Sequence, residues 1–174
     1  DGGSVAPTIS ADGRFVAFTS TATNLVGDDA NGVADAFVVE LSTATVRRVQ
    51  ENVTLGSPTF LSGDGARVAG SKPGPTSGYW RQWQTNGPTL SGGAVTGLSR
   101  DGRWVLRTDI YTLPNSTTRR TDGFLCEWGG SCVRVTAEDD VTSASVSAMA
   151  LSPDGSVISF KRNNHLFVVQ DGAY

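Results

Sequence analysis

Chemistry in this 174-residue chain would have to come from a few stretches. The first is Gly27-Asp28-Asp29-Ala30-Asn31-Gly32-Val33-Ala34-Asp35. Calcium takes hard oxygen ligands at alternate positions around a glycine bend, and Asp29, Asn31 and Asp35 offer them around Gly32. Gly27 stands where a further acidic ligand belongs, with Asp28 beside it. The competing reading is a polar turn in which Asp35 caps the following strand. The second stretch is Tyr79-Trp80-Arg81-Gln82-Trp83-Gln84. Period two puts Tyr79, Arg81 and Trp83 on one face and Trp80, Gln82 and Gln84 on the other. Aromatics with Arg and Gln make partner surfaces and sugar-stacking platforms, and they also fill the space between packed sheets.

The third is Phe124-Leu125-Cys126-Glu127-Trp128-Gly129-Gly130-Ser131-Cys132-Val133-Arg134. Two strand-like runs meet at Trp128-Gly129-Gly130, a three-residue hairpin loop in which Gly130 is expected to supply the positive φ. Glu127 then opposes Ser131 and Cys126 opposes Cys132. A disulfide between them needs the closer, non-hydrogen-bonded type of pair. Such a bridge closes a short loop, contributes on the order of 2–3 kcal/mol, and places the chain outside the cytoplasm. Two reduced core cysteines in a cytosolic protein are the alternative.

Little else is available for catalysis. A Ser-His-Asp triad would need His165, the only histidine, and no serine sits in a Gly-x-Ser-x-Gly elbow. Two cysteines are too few for a four-ligand zinc site. No Gly-rich phosphate loop precedes a helix. No cofactor is expected beyond the calcium of the first stretch. With 14 Lys and Arg against 17 Asp and Glu, the net charge is −3 and no basic stripe appears, which speaks against nucleic acid. Arg47–Arg48 and Arg119–Arg120 read as solvated strand edges that discourage pairing. No apolar run is long enough to span a membrane. Asn52-Val-Thr54 and Asn115-Ser-Thr117 fit the glycosylation pattern, at a frequency that chance explains.

The elements that must position these residues come from a repeat. PTISADGRFVAF (7–18), PTFLSGDGARVAG (58–70), TGLSRDGRWVL (96–106) and MALSPDGSVISF (149–160) share Ser-x-Asp-Gly. Their aspartates, Asp12, Asp64, Asp101 and Asp154, stand 52, 37 and 53 residues apart, a spacing of propeller type. Asp-Gly between apolar runs is a hairpin signal, because glycine accepts positive φ without steric cost. The Ser and Asp side chains can hold the turn through backbone amides. Each repeat continues into a third apolar run: DAFVVEL (35–41), GYWRQWQ (78–84), DGFLCEW (122–128) and NHLFVVQ (164–170). Asp35, Asp122 and Asn164 open three of them. A fourth strand is clearest in VRRV (46–49) and CVRV (132–135). Strand, Asp-Gly turn, strand, loop, strand, turn, strand makes a four-stranded antiparallel blade.

The Ser-x-Asp-Gly-x-x-(Val/Ile)-x-Phe pattern followed by Asp-x-Phe-Val resembles the PD40 repeats of TolB-like β-propellers. Blade 2 departs from it, with Val68-Ala69-Gly70 where an aromatic belongs. The expectation is an all-β propeller of four visible four-stranded blades, near 1–50, 51–89, 90–138 and 139–174. The last is incomplete, and the whole is expected to be part of a larger propeller or assembly. Its open edge on blade 4 calls for a protein partner or additional chain. The leading function is a non-catalytic, extracytoplasmic interaction or scaffold module. The alternatives are the propeller of a larger peptidase or glycan hydrolase, and a glycan-binding module using Trp80 and Trp83.

Overall fold

The computed structural model describes residues 1–74, 77–85, 90–112, 117–136, 145–163 and 165–170. Among them there are strands and turns and no helix. The first sheet is β1 (Ser4–Ile9), β2 (Phe15–Ser20), β3 (Asp35–Glu40) and β4 (Thr45–Gln50). The second is β5 (Phe60–Leu61), β6 (Arg67–Ser71), β7 (Gly78–Gln82) and β8 (Leu90–Gly92). The third is β9 (Ala94–Leu98), β10 (Trp104–Thr112), β11 (Arg119–Glu127) and β12 (Cys132–Arg134). The fourth holds β13 (Val146–Leu151), β14 (Val157–Arg162) and β15 (His165–Gln170). Every sheet runs in chain order with antiparallel neighbours, as hairpin connections require.

The sheets stack in sequence, with an apolar seam between each consecutive pair. On the second strand of each repeat, the residue two after the turn glycine and the residue four after it face the following sheet. Those at three and five face the preceding one. Phe15 and Ala17 thus share a core with Val68 and Tyr79 of the second sheet. Ala69 and Trp80 meet Val95 and Val105 of the third, and Leu106 and Leu125 meet Ile158 of the fourth. Alternation along each strand, not overall hydrophobicity, builds these seams. The first strands β1, β5, β9 and β13 touch one another along the inner side of the stack.

The register corrects one sequence assignment. Asp35 opposes Ser20 and Asp122 opposes Asp109, while in the fourth sheet the same place, opposite Arg162, belongs to His165. Asn164 and the sequon residue Asn115 lie outside the described residues.

Candidate site at the Asp-Gly turns

All four Ser-x-Asp-Gly segments close the same turn. The serine Oγ donates to the aspartate Oδ1 at 2.6 Å in Ser10–Asp12, Ser62–Asp64, Ser99–Asp101 and Ser152–Asp154. The same Oγ accepts the amides of Phe15, Arg67, Trp104 and Val157 at 2.8–3.0 Å. Each aspartate Oδ1 also accepts an amide two residues on, from Arg14, Ala66, Arg103 and Ser156. The glycines adopt φ of 69–80°. These bonds favour the ionised carboxylate. The serine bond holds Asp12, Asp64 and Asp154 below the ordinary carboxylate range, Asp154 at about 2. At Asp101 burial pulls upward, and the Ser99 and Arg103 bonds outweigh it.

The turns are tied to one another around the inner side. The Asp12 amide donates to the Gly63 carbonyl at 3.3 Å, Gly63 to Arg100 at 2.5 Å, and Arg100 to Pro153 at 2.6 Å. The result is a cavity of about 720 Å³ lined by Asp12, Asp64, Asp101 and Asp154 with Ala11, Gly63, Arg100 and Pro153. Adjoining it and sharing Ala11, Gly63, Arg100 and Pro153, a second cavity of about 420 Å³ is lined by Ile9, Leu61, Leu98 and Leu151. Each of these three layers takes one residue from every sheet: apolar floor, the variable residue of Ser-x-Asp-Gly, and a carboxylate rim. Arg100 is the one charged side chain in the middle layer. Sequence reading had the turns but missed this convergence, since it depends on how the sheets stack.

The acidic loop is built differently from a cation cage. Arg48 reaches Asp28 at 3.1 Å, Asp29 at 3.4 Å, Asp35 at 3.2 Å and Glu51 at 3.0 Å. The Asn31 side-chain amide donates to both Asp35 oxygens at 3.1 and 2.9 Å, and its carbonyl oxygen accepts from Val33. Asp35 also takes the Asn52 amide at 2.7 Å. The oxygens of Asp29 and Asp35 thus converge on a guanidinium, and Asn31 turns its oxygen away from them. Burial opposes the Arg48 charge, but the Asp35 bond and the charges of Asp28, Glu51 and Asp35 hold its pKa raised. Among the described residues no group of three His, Cys, Asp or Glu side chains is placed to hold a metal. The two arginine pairs split by strand alternation: Arg47 and Arg119 are exposed, while Arg48 and Arg120 turn inward. Arg120 pairs with the fully buried Asp122, which also receives Arg162 from the neighbouring sheet.

The aromatic stretch divides between the sheets as period two requires, and its first two rings, Tyr79 and Trp80, are interior. Tyr79 is fully buried with its hydroxyl 2.9 Å from Thr59, and Trp80 is buried on the opposite side. Neither lines a surface, because each fills the wedge to one neighbouring sheet. Arg81 donates to the Val49 carbonyl. Trp83 stands edge-on to Phe15 and donates to the Gly65 carbonyl. With Arg14, Glu40 and Arg47 it lines a small cavity of about 240 Å³.

Cys126 and Cys132 are bonded and directly opposed, with Cα atoms 4.0 Å apart. The adjacent Glu127–Ser131 pair carries the hydrogen bond, so the cysteines occupy the closer type of pair. The positive φ falls on Gly129, not Gly130, because the tight turn is Glu127–Gly130 with Gly129 in its third place. The Arg107 guanidinium lies 3.2 Å from the Cys126 sulfur.

Solved structures share this fold. TolB from Acinetobacter baumannii aligns with 95% of the chain at a TM-score of 0.60 and 20% identity. The chain folds as four blades of a β-propeller. A prolyl endopeptidase covers 98% of it with TM-score 0.68 and 12% identity, and an oligogalacturonate lyase in complex with manganese covers 95% with 0.61 and 12%. The chain spans 40%, 28% and 49% of the lengths of these three proteins. At such identities the likeness is one of fold. No family model and no curated protein matches the sequence. The propeller neighbours include both TolB and enzymes, so the architecture alone assigns no activity.

Proposed function

We propose that this propeller is a non-catalytic binding module whose partner seats on the mouth formed by the four Asp-Gly turns. The observation that carries the reading is the convergence of all four turns on one cavity, with an apolar floor and a charged rim. A general acid or base works best with a pKa near the operating pH. The rim carboxylates are held low and committed through Oδ1 to serine and backbone donors, a structural use. The exposed remainder is suited to recognition, since concave sites with an apolar base and a few polar groups bind well. A disulfide is consistent with a secreted, cell-surface or periplasmic setting. The glycan alternative would rest on the half-buried Trp83, since Trp80 is buried between the sheets.

Ala11→Trp combined with Arg100→Glu fills and recharges the mouth without removing any turn hydrogen bond. Co-purification from the source, compared with the unmodified chain, is expected to lose the specific partner. Retention of the same partner by the double variant would place the binding surface elsewhere.

A further inference from the structure

The bridge between Cys126 and Cys132 has one covered end and one open end. Cys126 is fully buried on β11, with Val105 of β10 opposite it. Cys132 lies on the edge strand β12 and is exposed. A thiolate breaks a disulfide by attacking one sulfur and expelling the other, so access to the first and the stability of the departing thiolate set the rate. Access here favours attack at Cys132, which leaves Cys126 as the departing group.

A cation stands at the covered end. Arg107 opposes Phe124 on β11, two residues along from the Val105–Cys126 pair, so period two puts its side chain on the face that carries the bridge. Its Nε is 3.2 Å from the Cys126 sulfur, and its Nη2 is 3.8 Å from that of Cys132. Three neighbours hold the guanidinium in this place. Asp109 accepts its Nη1 at 2.7 Å, and the centre of the Phe124 ring is 5.4 Å from its Cζ. Gly92 of the preceding blade leaves room where a Cβ would press on Nη1. The Arg107 side chain is 14% exposed, so water and salt screen its charge little. A guanidinium beside a sulfur favours the thiolate.

We propose that the bridge is a thiol–disulfide exchange site for a low-molecular-weight thiol, which attacks Cys132 and expels Cys126 beside Arg107. The thiol loses its proton to solvent, and the lone pair of its thiolate forms a bond to the Cys132 sulfur. The bond between the two cysteines breaks, and its electron pair leaves on the Cys126 sulfur as a thiolate. A second thiolate attacks the small-molecule sulfur of this mixed disulfide and releases Cys132. The chain's disulfide is thereby reduced and two thiols are oxidised to one disulfide. The site belongs to the outer hairpin of blade 3 and uses no residue of the mouth, so it and the partner reading can fail separately.

The test treats the folded, oxidised chain with excess glutathione at neutral pH, followed by acid quenching, alkylation and peptide mass mapping. Glutathione is expected on Cys132 and the alkyl group on Cys126, in about tenfold excess over the reverse. Arg107→Met is expected to slow the exchange about fivefold. Asp109→Asn, which removes the carboxylate that shares the guanidinium's charge, is expected to speed it about twofold. Both variants break the same ion pair, so a hairpin that merely opened more often would exchange faster in both. Glutathione found on Cys126, faster exchange in both variants, or equal rates in all three chains overturns the inference.

Discussion

The serine in each Ser-x-Asp-Gly turn does two jobs with one hydroxyl, donating to the aspartate and accepting the amide that starts the next strand. The carboxylate is thereby kept ionised, and this has a direct consequence in acid. Asp154 has a pKa of about 2 in the folded chain against an ordinary value of 3.8. A depressed folded pKa favours folding where the group is ionised in both states, so the contribution is fully present above about pH 4. It is lost as pH falls toward 2. Melting temperature measured across pH 2–6 should drop in this window, and Asp154→Asn should lower the plateau while flattening the drop. Equal slopes in the two proteins would contradict the role given to the turn. Arg48 is the second residue on which much depends. Arg48→Met leaves the fully buried Asp35 without its cation and is expected to cost about 3 kcal/mol, read by urea denaturation. Adding millimolar calcium or a chelator to the unmodified chain should leave the transition in place, whereas a rise with calcium would contradict the arginine-centred reading.

At the level of elements, the outer hairpin of blade 3 offers a simple check. Without reductant the denatured chain should show no free thiol, and with reductant two. Closing a loop this short contributes about 2 kcal/mol, so reduction should lower the denaturation midpoint without abolishing folding. The hairpin also shows what was legible in the sequence. The opposition of Cys126 and Cys132 follows from counting outward from the turn, because pairing in a hairpin is local. Which glycine takes the positive φ was not legible, since Gly129 and Gly130 both tolerate it and the turn type decides. The same division runs through the chain. The four turns announce themselves in contiguous residues, and period two correctly split Tyr79 from Trp80. That both are interior depends on the blades on either side, which no window around residue 80 contains. Arg48 read as a solvated edge charge because its partners Asp28, Asp29 and Asp35 lie 20, 19 and 13 residues away in sequence.

For the molecule as a whole, repetition has two outcomes. Faces between blades are made by apolar alternation and by turn glycines that let one blade rest on the next. The inner mouth, by contrast, collects the one variable residue of each turn: Ala11, Gly63, Arg100 and Pro153. Variation at Ala11 or Arg100 leaves the turn bonds untouched, whereas a side chain at Gly63 would press on the Arg100 backbone. The mouth can therefore change its chemistry at some of these positions without disturbing the scaffold. Hydrogen–deuterium exchange of the chain with and without its co-purified partner tests this most directly. The account predicts protection confined to the peptides spanning residues 9–12, 61–64, 98–101 and 151–154. Protection centred instead on the 26–33 loop or on the outer strands, with these four segments unchanged, would contradict it.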